Sequence, residues 1–250
     1  RGDRRDARWL REIDSMHAIL PHLMPKRTDS EAYLNAKMDV TDALAYIAQK
    51  NEGEEEYRAT LFHCFIMAIA KTIRCRPALN RYVSGRRYYQ RHKITLGFVV
   101  KRRFEDYSQE TLMVTAADED WDLTAVTHKV VGKVHTVRGQ KEFGLDGALG
   151  IMKKLPRPIM MFLMWIFRTL DFFGHMPRAL TDEDPNYATV FLSNLGSIQC
   201  PAVYHHLNNY GTNSIMVTIG TIHKENVIQP DGTCQVRDIV DVGVTLDERI

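Results

Sequence analysis

Histidine is the residue type in this chain best suited to proton transfer or metal binding, and it occurs ten times in 250 residues. His205 and His206 are adjacent, and either imidazole could act as a metal ligand or as a base. On a strand, neighbouring side chains point to opposite faces, so the pair could not easily hold one metal ion. His128 and His135 lie seven residues apart on a predicted helix, where we expect them on the outer face. We therefore predict no metal site, and a structural or surface role for the adjacent pair unless a wider pattern recruits it.

The segment Arg81–Arg91 alternates arginines with tyrosines. Guanidinium groups bind phosphate and aromatic rings stack on bases, so the segment could contact a nucleotide-containing cofactor or another subunit. A strand edge at the rim of the core explains the same pattern without a ligand. We favour the rim interpretation, and we regard nucleic-acid binding as the weakest of the three.

Several common catalytic signatures are absent from the sequence. The chain contains no GxxxxGK[ST], GxGxxG after a strand, HExxH or GxSxG, which removes the usual basis for phosphate-loop, dinucleotide, zinc-protease and α/β-hydrolase assignments. The four cysteines form no CxxC pair, so neither a zinc site nor a disulfide framework is indicated. We expect a reducing compartment, and a cytoplasmic protein.

Composition limits the class of protein further. The chain is 44% hydrophobic and 26% charged, which is typical of a globular protein with a sizeable core. Thirty-three basic and 31 acidic residues leave a net charge of +2, too little for a dedicated nucleic-acid binder. The segment 145–158 is the best candidate for a boundary, but no linker or repeat supports a division. We therefore expect one domain over residues 1–250.

The spacing of apolar residues predicts at least four helices and several strands that would position these groups. Trp9, Ile13, Met16 and Leu20 form a helical stripe that Pro21 and Pro25 should end, and Leu44 and Ile47 belong to a short helix after Thr41. An apolar helix spans Leu61 to Ile73 and should be central, and another contains Val126 to Val137. Strands are predicted over 33–40, 94–100, 111–115, 187–193, 214–222 and 235–246. Helices interleaved with non-repeating strands predict an α+β or mixed-sheet fold.

The run Pro158 to Phe167 (PIMMFLMWIF) raises the question of membrane contact. Its ten residues are fewer than a spanning helix needs, and Arg168 and Asp171 interrupt it. We expect a buried core helix. A subunit contact and a membrane-surface helix remain alternatives, with membrane association the least favoured.

Three C-terminal segments carry a family resemblance. Residues 189–198 contain Ser193-Asn194-Leu195-Gly196, residues 214–221 read SIMVTIGT, and the chain ends Asp247-Glu248-Arg249-Ile250. This order resembles the catalytic domain of 2-oxo acid dehydrogenase complex acyltransferases, which have the chloramphenicol acetyltransferase fold. Upstream pieces follow in the family's order: Leu20-Pro21-His22, Met38 to Thr41, the helix Thr60 to Ile73, and Arg76 to Asn80.

The resemblance implies an α+β fold with a mixed sheet sandwiched with helices. It also implies acyl transfer between thiols, with coenzyme A as co-substrate and an active site between the subunits of a homotrimer. Ser193 would stabilise the oxyanion, Asn194 and Gly196 would flank it, and Asp247 and Arg249 would flank the catalytic base. No lipoyl or peripheral-subunit-binding domain fits in 250 residues, so we expect a catalytic module whose C-terminal motif continues beyond Ile250.

Glu248 occupies the position of the family's catalytic histidine. Moving a proton from a thiol of pKa about 8.5 to a carboxylate of about 4.3 is uphill by about 5–6 kcal/mol, roughly twice the cost with imidazole. Burial could raise the pKa of Glu248 and reduce this difference. Two hypotheses follow: an acyltransferase with Glu248, His205 or His206 as the base, or a catalytically impaired relative that binds a coenzyme A ester or a partner protein.

Overall fold

The computed structural model describes residues 2–101, 110–118, 121–139 and 152–250. The helices are α1 (Ser15–Leu23), α2 (Thr41–Lys50), α3 (Leu61–Cys75), α4 (Leu123–Gly139), α5 (Arg157–Phe173) and α6 (Arg178–Thr181). The strands are β1 (Ala7–Trp9), β2 (Glu31–Asp39), β3 (Arg81–Ser84), β4 (Arg87–Arg91), β5 (Thr95–Lys101), β6 (Glu110–Ala116), β7 (Val190–Asn194), β8 (Ile215–Ile228) and β9 (Cys234–Asp247). The α+β class predicted from the sequence is confirmed.

A mixed sheet of six strands organises the fold, in the order β2-β9-β8-β7-β5-β6. Strand β7 runs parallel to both of its neighbours, β5 and β8, while the other pairs are antiparallel. A second, three-stranded sheet has the order β1-β4-β3. The strand predicted over 111–115 is β6, and it pairs with β5, where Thr115 lies opposite Leu96.

The core lies between one face of the large sheet and the helices α3 and α4. Ile66 and Ile73 of α3 and Val126 of α4 are almost fully buried against strand residues such as Val190 and Val240. Helix α3 begins after Thr60 and ends at Cys75, just before Arg76 and Pro77. Its predicted central position is therefore confirmed.

The predicted N-terminal helix is wrong in its extent. Trp9 belongs to β1, where it pairs with Tyr89, and α1 begins only after Asp14, whose carboxylate accepts hydrogen bonds from the backbone N–H groups of Met16 and His17. Pro21 lies inside α1 and does not end it. A good N-cap at Asp14 outweighs the spacing that connected Trp9 to the helix.

The prediction of a buried core helix over Pro158 to Phe167 is also wrong. Helix α5 contains no buried residue, and Met161 is 74% exposed. Its other strongly exposed apolar side chains are Ile159, Phe162, Trp165, Phe172 and Phe173. Among the described residues, no helix combines the length and the apolar character needed to cross a membrane. Positions 145–151 of the proposed boundary segment lie outside the described residues.

The Arg-Tyr segment forms the hairpin β3–β4. Tyr82, Tyr88 and Tyr89 are buried, and so is Arg91, which donates hydrogen bonds to the carbonyl groups of Tyr187 and Thr212. These contacts agree with the core-rim interpretation. At the tip of the hairpin, Arg86 lies beside a cavity.

Candidate active site

Ser193 lies near the end of β7, opposite Thr218 of β8, which in turn lies opposite Gly243 of β9. In this ladder, Leu192 and Val217 face the core, so Ser193 and Thr218 face the other side of the sheet. Ser193 is half-buried and Asn194 is exposed. The candidate hydroxyl therefore lies on the face opposite to α3 and α4.

The turn after Ser193 depends on glycine. A side-chain carbon at Gly196 would lie 2.6 Å from the carbonyl oxygen of Gly220, well inside a van der Waals contact. The backbone of the Ser-Asn-Leu-Gly turn can therefore lie directly against the irregular part of β8, between Ile219 and Ile222. Ser197 closes the turn by donating a hydrogen bond to the carbonyl oxygen of Asn194, at 2.7 Å.

Asp247 and Arg249 form a buried ion pair. The guanidinium donates to both oxygens of the Asp247 carboxylate, at 2.7 and 2.6 Å, and both residues are at most 2% exposed. Ser30 donates a further hydrogen bond to Asp247, at 3.0 Å, and Arg249 donates to the carbonyl oxygen of Met24. The two residues that flank Glu248 therefore hold the C-terminal end of β9 against the loop that precedes β2.

Glu248 itself is exposed. Its backbone N–H donates to the carbonyl oxygen of Ser30, at 2.8 Å, whereas no hydrogen bond or ion pair of its carboxylate is found within the described part of the chain. The carboxylate is thus carried on a rigid backbone and presented outwards. The guanidinium of the neighbouring Arg249 is bound to Asp247 and not to Glu248.

Ser193 and Glu248 do not converge within one chain. They are separated by two strand spacings across the sheet and by five residues along β9. With about 4.8 Å between strands and about 3.3 Å per residue, their α-carbons lie roughly 20 Å apart. A reaction that uses both groups would need them to come from different subunits.

His205 and His206 lie in an irregular segment, not on a strand, so the argument from opposite faces does not apply to them. Their rings stack with centroids 4.8 Å apart, and both side chains are exposed. The segment crosses the face that carries Ser193: the Thr218 hydroxyl donates to the carbonyl oxygen of Val203.

The segment then reaches β2, where the Leu207 N–H donates to the Glu31 carboxylate at 2.5 Å, and Glu31 lies opposite Asp247. The histidines therefore approach Glu248 at the β2–β9 corner of the sheet. Ser193 lies on β7, on the far side of β8 from this corner.

Arg27 is a residue of this region that the sequence did not single out. It is more than nine-tenths buried and donates to the carbonyl oxygens of Val83 and Asn208, at 3.0 and 3.3 Å. Burial lowers the pKa of Arg27 to about 10, against the opposing attraction of Asp247. Its partners come from distant parts of the chain, so no local sequence signal could have identified it. No group of three or more His, Cys, Asp or Glu that could hold a metal occurs among the residues described.

Comparison with solved structures assigns the fold. The architecture is that of acyltransferase catalytic cores, as the sequence resemblance implied. Similar structures include a probable dihydrolipoamide acetyltransferase from Listeria monocytogenes 4b F2365, with a TM-score of 0.61 and 16% identity over 96% of this chain and 85% of that chain. The cubic core of the pyruvate dehydrogenase multienzyme complex has a TM-score of 0.60 and 13% identity, over 96% and 84% of the two chains.

A third similar structure is the dihydrolipoamide acetyltransferase of Azotobacter vinelandii, with a TM-score of 0.60 and 13% identity over 96% of this chain and 84% of that chain. For that enzyme, the roles of a serine, a histidine and an asparagine in catalysis were investigated. No protein-family model and no curated protein matches this sequence. At these identities, the likeness establishes the fold alone.

Proposed function

We propose that this protein is a coenzyme A-dependent acyltransferase, formed by a single catalytic domain, that moves an acyl group between a thioester and an acceptor thiol or another nucleophile. The observation that carries the proposal is the acyltransferase fold over 96% of the chain, with Ser193 at the end of the parallel strand β7. Four cysteines that form no disulfide support a reducing, cytoplasmic location.

The proposed active site lies between subunits of a homotrimer. The separation of roughly 20 Å between Ser193 and Glu248 in one chain supports this arrangement, because a reaction that uses both groups must take them from different subunits. Exposed apolar side chains on β2 and α5 support it, since a monomer rarely exposes such groups contiguously: Tyr33, Leu34, Met38, Met161, Phe162 and Trp165. The similarity to a protein that forms a cubic multienzyme core is consistent with assembly.

In the proposed reaction, the acceptor thiol loses its proton to a base, and its sulfur attacks the carbonyl carbon of the acyl thioester. The carbonyl electrons move to oxygen and form a tetrahedral oxyanion, to which the Ser193 hydroxyl donates a hydrogen bond. The oxyanion collapses, the carbon–sulfur bond to the first thiol breaks, and that thiolate takes the proton back from the base. A preorganised donor of this type typically contributes about 10²–10³ in kcat.

The proposed base is Glu248, or one of the nearby histidines. A carboxylate must accept the thiol proton about 4 pKa units uphill, whereas an imidazole accepts it about 2 units uphill. His205 and His206 are exposed and belong to the segment that reaches the β2–β9 corner, so either imidazole could reach a substrate held there. Substitution of Glu248, His205 and His206 one at a time distinguishes which of them is the base.

A second candidate function is binding without turnover. The observation that favours it is Glu248 itself, because an exposed carboxylate is a weak base at the position where the family has an imidazole. Such a protein would hold a coenzyme A ester, or a partner protein, in the same groove between subunits.

The two functions separate in an assay that follows the conversion of acetyl-coenzyme A to free coenzyme A by chromatography, with dihydrolipoamide as acceptor. For an enzyme, we expect Ser193→Ala to lower kcat by about 10²–10³. Glu248→Gln, His205→Gln or His206→Gln should lower it by about 10²–10⁴, depending on which group is the base. Ser197→Ala is the matched control, because that hydroxyl is exposed and, within the part of the chain that the structure describes, is bonded to Asn194 alone. Activity that survives the Ser193 substitution would contradict the site, and coenzyme A binding without turnover in the unmodified protein would favour the second function.

A further inference from the structure

A cavity of about 470 Å³ opens beside Arg249, where β9 ends. Five separate parts of the chain form its walls: the segment from Pro21 to Arg27, the tip of the β3–β4 hairpin, the C-terminal half of α5, residues 209–210, and Arg249. The cavity lies apart from the groove where Ser193 would act, because β7 is not among these parts.

The charges that line this cavity are strongly unbalanced. Among the described residues that line it, the cations are Lys26, Arg27, Arg86, Arg168 and Arg249, and the one acidic residue is Asp171. Arg249 is already neutralised by Asp247. The four remaining cations face one carboxylate, so an excess of three positive charges remains even when Asp171 is ionised. Concave surfaces of one sign concentrate ligands of the opposite sign.

Arg27 is the most informative of these residues. It is 6% exposed, two of its nitrogens donate to backbone carbonyl oxygens, and its Nε has no hydrogen-bond partner among the described residues. Burial of a cation is costly unless a counter-charge compensates it. The carboxylates that attract it, Asp247 and Asp171, are engaged by Arg249 and by the Tyr187 hydroxyl. An anion in the cavity would supply the missing charge.

Arg86 and Arg168 lie at the rim of this cavity. Arg86 lies at the hairpin tip with a positive φ of 61° and donates to Nδ1 of His22, at 3.2 Å. The tip is pressed against α5, because a side-chain carbon at Gly85 would lie 2.5 Å from the carbonyl oxygen of Phe172. Arg168 is exposed and forms no hydrogen bond or ion pair with the described residues.

We propose that this cavity binds a phosphate-bearing small molecule. Guanidinium groups match the oxygen geometry of phosphate, and an excess of three positive charges suits a dianionic phosphate or a diphosphate. Phe172 and Tyr210 in the same walls offer aromatic surface to the rest of the ligand. The phosphate could belong to coenzyme A, in which case the inference rests on the proposed function, or to a separate metabolite, in which case it stands alone.

The test is calorimetric titration of the intact protein at about 50 mM salt with inorganic phosphate, pyrophosphate, 3′,5′-ADP, coenzyme A and dephospho-coenzyme A. Adenosine and succinate serve as uncharged and carboxylate controls. We expect the phosphate compounds to bind with dissociation constants below about 1 mM and the controls to bind at least tenfold more weakly. The affinity should fall as salt is added.

Variants then locate the binding. Arg86→Gln and Arg168→Gln should each weaken phosphate binding by about tenfold or more, whereas Arg157→Gln, an exposed residue of the same helix outside the cavity, should change it less than twofold. All three positions are at the surface, so thermal unfolding should remain unchanged. Equal binding by both cavity variants and the unmodified protein would overturn the proposal, as would succinate binding as tightly as pyrophosphate, or no phosphate binding at all.

The titrations also distinguish the source of the phosphate. If coenzyme A binds here, 3′,5′-ADP should bind more tightly than pyrophosphate, and loss of the 3′-phosphate in dephospho-coenzyme A should weaken binding. If the ligand is a separate metabolite, pyrophosphate should bind without competition from coenzyme A. Acyl transfer is measured independently, so phosphate binding without turnover leaves this inference intact while removing the proposed function.

Discussion

The buried pair of Asp247 and Arg249 allows a quantitative test of what holds the C-terminal end of β9 in place. The Asp247 carboxylate accepts four hydrogen bonds: two from the Arg249 guanidinium, one from the Arg249 backbone N–H at 3.2 Å, and one from Ser30. Its exposure is 0%. The substitution Asp247→Asn preserves its shape and removes its charge.

The loss should be large because the substitution leaves Arg249 buried without its counter-charge. Breaking a buried ion pair by removing one partner typically costs about 3–5 kcal/mol. Arg27 is also buried and is attracted by Asp247, so the substitution removes a favourable interaction there as well. We expect the free energy of unfolding to fall by about 4 kcal/mol. For a chain of this size, that corresponds to a melting temperature lower by roughly 8–16 °C.

The assay is urea and thermal unfolding followed by circular dichroism, at one fixed protomer concentration because an assembled protein would unfold in a concentration-dependent way. Asp39→Asn is the control, since it removes the charge of an exposed partner of Arg237 and should cost much less than the Asp247 substitution. The double variant Asp247→Leu with Arg249→Met removes both charges and should recover most of the loss. A single variant that loses less than 1 kcal/mol, or a double variant as unstable as the single one, would refute the role of the uncompensated charge.

Three further predictions concern His63, Gly196 and Trp165. Burial lowers the pKa of His63 to about 4, below its unfolded value near 6.5. The free energy of unfolding should therefore be constant above pH 6.5 and fall by up to about 3 kcal/mol towards pH 4. Denaturant titrations across this pH range should find no such loss in the variant His63→Gln. Gly196→Ala places a carbon 2.6 Å from the Gly220 oxygen and should lower acyl transfer together with the melting temperature, whereas Gly132→Ala, in open space on α4, should lower neither. Trp165→Ser removes an exposed indole and should shift sedimentation from trimer towards monomer. An unchanged trimer would exclude α5 as a subunit contact. Pelleting of the unmodified protein with anionic vesicles would instead favour α5 as a membrane-surface helix.

Elements with strong periodicity could be predicted from the sequence. Helix α3 has apolar residues at steps of four between a threonine cap and Pro77, and β9 alternates Val240 and Val242 with small or polar residues. In both elements, the local pattern and the burial in the fold agree. The same reasoning failed at Trp9, because one apolar residue at a helical distance says nothing about the strand partner Tyr89.

Features that depend on distant contacts could not be predicted. The apolar residues of α5 indicate a surface that avoids water, but they do not specify whether the rest of the same chain covers it. Arg27 contacts Val83 and Asn208, and nothing near position 27 identifies either partner. The candidate site is similar: the resemblance selected Ser193 and Glu248, and only the order of the strands reveals that one chain keeps them apart.

The hairpin of β8 and β9 extends beyond the strands that flank it. Pairing with β7 ends at Ile219 and pairing with β2 ends at Ile239, so Glu225 to Arg237 form a ribbon of two strands only. Two-stranded ribbons are marginal by themselves, and Ile228 at the tip is 77% exposed. Amide protons of the ribbon should consequently exchange with deuterated water through local fraying, orders of magnitude faster than those of the same two strands inside the sheet.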